Sequence, residues 1–112
     1  MNISKVNPVA FTGKFITDPS NYKNILTGEL LQNATTLNSF VGTRLPHDAT
    51  VRVNFSNKDG KTSVRRQTSA NDINVTVYSR IQNGAGFNET YSAKEFALSL
   101  PEIENALFNM YA

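Results

Sequence analysis

The chain has 112 residues, 39% of them hydrophobic and 18% charged, with a formal net charge of +2 and no cysteine. That length suits one domain with one modest core, and so small a net charge argues against disorder. The lack of thiols excludes a disulfide scaffold, thiol catalysis and thiolate zinc sites.

We therefore expect a single α+β domain over residues 1–112, with 1–7 as a flexible lead-in. No apolar run approaches the roughly 18 residues of a membrane span. The stretch from Met1 to Ala10 lacks the basic start and apolar core of a signal peptide. Asn33-Ala34-Thr35 and Asn74-Val75-Thr76 match the glycosylation triplet, but in a chain rich in Asn and Thr we read them as chance. The expected setting is the cytoplasm, or a virion assembled there, with no membrane.

Pro8 to Thr17 sets Val9, Phe11, Gly13 and Phe15 against Ala10, Thr12, Lys14 and Ile16, which predicts a short strand at a sheet edge. Asp18-Pro19 reads as a helix start. Tyr22, Ile25, Leu26, Leu30, Ala34, Leu37 and Val41 then recur at helical steps. Gly28 and Thr35-Thr36 weaken the middle of this segment. So 19–41 reads as one helix or as two joined near Asn33, with Gly42 as the stop.

Thr50 to Ser56 alternates Val51, Val53 and Phe55 with Arg52 and Asn54. Asn57-Lys58-Asp59-Gly60 is a turn signal, and Lys61 to Gln67 is expected as a return strand. Ile73, Val75, Val77 and Ile81 keep strand period, Asn83-Gly84-Ala85-Gly86 is a further turn, and Phe87 to Tyr91 a further strand. Ser92-Ala93-Lys94-Glu95 and Ser99-Leu100-Pro101-Glu102 both match the capping box. They predict a helix over about 93–98 and another over about 100–111, with Phe96, Leu100, Ile103, Leu107 and Met110 as one apolar stripe. The expected architecture is two-layer. An antiparallel meander of about four strands, five if the N-terminal strand joins, packs against an N-terminal and a C-terminal helix.

Candidate chemistry is sparse. His47 is the only histidine and sits between Pro46 and Asp48 in an expected surface loop. A triad needs it beside a serine and an acid in a pocket. Asp18, Glu95 and Glu102 suit helix starts, and Asp59 and Asp72 suit turns, which leaves no convincing acid/base pair. Gly84-Ala85-Gly86 precedes a strand and no helix, so it reads as a hairpin turn and not as a phosphate cradle. We expect no catalytic centre, cofactor or metal.

Charge is uneven. The balance is +1 over 1–43, +4 over 44–82 and −3 over 83–112. Side chains alternate along a strand, so Arg52, Lys61, Arg65, Tyr78 and Arg80 are expected on the outer face of the sheet, with Arg52 beside Arg65. Like charges so placed cost roughly 0.2–1 kcal/mol per pair. An anionic partner would offset that cost, and a solvated face would simply tolerate it. The expected function is that of a non-catalytic binding protein, an accessory factor or assembly subunit that meets another protein or its own copy. The alternative is a nucleic-acid-binding domain that uses the basic sheet face.

Overall fold

The computed structural model describes residues 12–17, 28–57 and 73–112. In chain order they form β1 (Lys14–Ile16), α1 (Gly28–Arg44), β2 (Thr50–Asn57), β3 (Ile73–Arg80), β4 (Gly86–Ser92) and α2 (Ala93–Tyr111). The strands make one sheet in the order β1-β2-β3-β4. β1 runs parallel to β2, and the pairs β2–β3 and β3–β4 are antiparallel. The protein is therefore α+β, as the pattern predicts, with a mixed sheet. The parallel step follows from α1, because only a crossover connection can return a chain to lie parallel to its starting strand.

One face of the sheet is buried by both helices. Val51, Val53 and Phe55 of β2 and Ile73, Val75 and Val77 of β3 share a core with Leu30, Ala34, Leu37 and Val41 of α1. Phe96, Leu100, Ile103 and Leu107 of α2 complete it. Phe15, Phe87 and Tyr91 close its margins from the edge strands. Burying each large apolar side chain contributes roughly 1.5–3 kcal/mol, so this shared cluster is the main support of the two layers.

The pairing of β2 with β3 revises the expected meander. Seven residue pairs join them directly, from Val51↔Ser79 to Asn57↔Ile73. No strand lies between them. Residues 61–67 themselves lie outside the described residues, as do the helix start at Asp18-Pro19 and the first half of the strand from Pro8. The turn after β3 is as expected: the Ile81 amide donates to Ala85 O (2.8 Å) and the Gly84 amide to Ile81 O (2.9 Å). Asn83 takes φ 59°, a left-handed conformation that Asn tolerates better than most residues. Ile81 itself falls in the turn, because β3 ends at Arg80.

Two helix boundaries differ from expectation. α1 runs unbroken through Asn33, one of the two readings of that segment, but it passes Gly42 to end at Arg44. Val41 and Leu45 are both fully buried, so carrying the helix past Gly42 brings Leu45 into the core, and Pro46 then prevents continuation. Gly28 opens the described helix, with φ 53°, and residues 19–27 lie outside the described residues. At the C-terminus α2 is one helix, not two, with Pro101 inside it. The Ser92 capping box forms in full: Glu95 N donates to Ser92 Oγ and Ser92 N donates to Glu95 Oε1. The bond from Ser92 N, helped by the Ser92 hydroxyl, holds the Glu95 carboxyl below its usual range. The Ser99 box is unused. A break there would take Leu100 out of line with Phe96, and burying that stripe offsets the roughly 3 kcal/mol that an interior proline costs.

β1 is locked against the end of α1. The Gly13 amide donates to Leu45 O (3.2 Å) and the Lys14 amide to Ala49 O (2.9 Å). A Cβ on Gly13 would lie 2.6 Å from Val41 O and 3.1 Å from Leu45 Cβ. Gly13→Ala is therefore expected to push β1 off α1 and destabilise the fold by about 1–3 kcal/mol, measured by urea denaturation. An unchanged midpoint would show that the close approach is not made.

Candidate basic sheet face

The face of the sheet away from the helices is covered by no described element. Strand register fixes its composition. Paired residues share a face, so one row across the sheet reads Ile16, Arg52, Tyr78 and Asn88. Lys14 and Thr50 lie on one side of that row, and Asn54, Thr76 and Thr90 on the other. Arg80, two residues beyond Tyr78, faces the same way. Lys14, Arg52, Tyr78, Arg80 and Asn88 are all exposed. The outward positions of the four strands carry three cations and no carboxylate. Glu89, the one acid on a strand, pairs with Val77 and so points to the helix side.

Of the five residues expected at this site, the structure brings together Arg52, Tyr78 and Arg80. Tyr78 is directly opposite Arg52, and Arg80 is the diagonal neighbour, at a spacing of roughly 7–8 Å. Lys61 and Arg65 lie outside the described residues. The expected placement of Arg52 beside Arg65 therefore falls outside the described residues; in the described sheet Ile16 and Tyr78 flank Arg52. Arg52 thus has an aliphatic side chain on one side and an aromatic ring on the other. Sequence reasoning missed Lys14 and Asn88. The alternation around Phe15 already set Lys14 on the opposite face. Asn88 needed the register of β4.

The rigidity of this face comes from below. Ser79, on the buried side between Tyr78 and Arg80, is 1% exposed. Its hydroxyl donates to Thr50 O (2.7 Å) and lies 2.6 Å from the Tyr111 hydroxyl. With its own proton committed to Thr50, Ser79 accepts from Tyr111. This chain ties β2, β3 and the last turn of α2 at one point. On the outer face, the Thr76 and Thr90 hydroxyls meet at 2.9 Å and link β3 to β4.

A depression of about 680 Å³ opens at the same end of the sheet, lined by Asp48, Arg80, Gln82 and Tyr111 among others. Neither His47 nor a serine lines it, so it does not hold a Ser-His-Asp arrangement. Among the described residues no group of three His, Asp or Glu side chains is placed to hold a metal. No described helix is long and apolar enough to cross a membrane. No protein-family model, curated protein or solved structure matches the chain.

The Ser79 link can be tested directly. Ser79→Ala should leave Thr50 O and the Tyr111 hydroxyl without their partner and cost about 1–3 kcal/mol. Tyr111→Phe leaves the Ser79–Thr50 bond intact and should cost less. Equal losses in urea denaturation, or none, would contradict this arrangement.

Proposed function

We propose that the protein is a non-catalytic interaction protein that docks an acidic surface of a partner protein on its open sheet face. The observation that carries this reading is the composition of that face: Lys14, Arg52 and Arg80 around Tyr78, with no outward carboxylate on the strands. A face of one sign attracts a partner of the other and sets its orientation. Tyrosine and arginine are the side chains that most often anchor protein interfaces, because each offers apolar area together with hydrogen-bonding capacity. Neither needs a reactive group, which fits the sparse chemistry of the chain.

A second reading, single-stranded nucleic acid, is favoured by one feature. Tyr78 stands between Arg52 and Asn88 in the same row, so a base could stack on its ring while Arg52 and Arg80 hold phosphates. One exposed aromatic is a small platform, which places this reading second.

Both are tested by fluorescence anisotropy with a labelled polyglutamate peptide and labelled single-stranded DNA and RNA across a salt series. The protein-docking reading predicts binding to the acidic peptide, weakened roughly tenfold or more in Arg52→Glu/Arg80→Glu, since a charge-assisted contact is worth about 1.5–3 kcal/mol. Tight oligonucleotide binding with a steep salt slope would select the nucleic-acid reading. Failure of every probe at low salt would overturn both.

A further inference from the structure

The helix layer carries the opposite charge to the sheet face. α1 and α2 together hold Glu29, Glu95, Glu102 and Glu104 against Arg44 and Lys94. Along α2 the residues Glu95, Leu98 and Glu102 follow one another at steps of three and four, so they form one stripe. Leu98 is 73% exposed, the most exposed large apolar side chain among the described residues. The stripe is thus a leucine between two carboxylates. On the other side of the same molecule, Tyr78 and Ile16 lie in one row with Arg52, and Arg80 is adjacent.

Resting on the docking reading above, we infer that the partner of the sheet face is a second copy of this chain. The Glu95–Leu98–Glu102 stripe of one copy lies on the Arg52–Tyr78–Arg80 face of the next. Leu98 covers the Tyr78 ring, and Glu95 and Glu102 reach the two arginines. The two surfaces are different patches of the same molecule, so the contact is heterologous. Each added copy leaves one sheet face and one helix stripe free, and association continues head to tail until it closes into a ring or extends as a filament. Like-charged faces oppose the symmetric alternatives, sheet to sheet and stripe to stripe.

The experiment is sedimentation velocity over a concentration series. Runs at about 0.05 M salt are compared with runs at about 0.5 M, where surface charges are screened beyond roughly 4 Å. At low salt the wild-type protein should sediment faster as concentration rises, passing the size of a dimer, and high salt should return it to single chains. Arg52→Glu/Arg80→Glu, which breaks the sheet face, and Leu98→Gln/Glu102→Gln, which breaks the stripe, should each stay as single chains. All four positions are exposed, so the variants are expected to fold, and circular dichroism is the check on that. Mixed, the two variants retain one good sheet face and one good stripe, so they should form a one-to-one pair that grows no further. A wild-type protein that stays single at low salt, a species that stops at two copies, or a variant mixture that does not pair would each overturn the inference. If self-association fails while the polyglutamate peptide still binds, the docking reading stands and the partner is a different acidic protein. If both fail, the docking reading falls as well.

Discussion

The direct antiparallel pairing of β2 with β3 is the constraint on which the other features rest. Its register aligns Val51, Val53 and Phe55 with Ser79, Val77 and Val75, so both central strands present an apolar row to the same side. The helices can cover only that side. Because side chains alternate with period two, burying this row forces Arg52, Asn54, Tyr78 and Arg80 together on the other side. The basic face is thus a consequence of how the core is built. A slip of one residue would exchange the two faces and bury the arginines, which is far more costly than any rearrangement at the surface.

The remaining elements strengthen that pairing from both ends. α1 and the 45–49 connection hold β1 parallel to β2, through the close approach at Gly13 and the bond from Lys14 N to Ala49 O. α2 begins at the Ser92 capping box directly after β4 and returns across the buried face to reach Ser79 through Tyr111. Arg44, at the end of α1, lies 5.7 Å from the centre of the Phe108 ring of α2 and joins the two helices on their outer side. Burial there raises the Glu104 carboxyl above its usual range, opposed by Arg44. A raised carboxyl favours the folded state below its unfolded value and loses that contribution as pH rises through the folded value. Glu95, held low by Ser92, acts in the opposite sense, so acidification weakens the cap of α2 as it relieves the burial of Glu104.

Much of this was legible in the residues, for reasons that can be named. The alternations 50–56 and 73–80 identified the inward and outward sets, because period two needs no tertiary information. Ser92 followed by Glu95 marked the start of α2, since a capping box satisfies its amides locally. What could not be read locally came out differently. Pro101 and the second Ser-X-X-Glu pattern predicted a break that burial of Phe96, Leu100 and Ile103 on one stripe overrides. Gly42 predicted a stop that Leu45 overrides. The largest difference concerns the candidate site. The turn at 57–60 suggested that the neighbour of β2 would be the next stretch of chain, but that neighbour is β3. Tyr78 therefore stands at the side of Arg52.

That pairing of Arg52 with Tyr78 is the central claim, and backbone NMR tests it most directly. Cross-strand nuclear Overhauser contacts should join Arg52 to Tyr78 and Asn54 to Thr76, with further contacts from Tyr78 to Asn88. Contacts from residues 50–56 to residues 61–67 in their place would put a different strand beside β2, disperse the Arg52–Tyr78–Arg80 group, and remove the basis for the docking face.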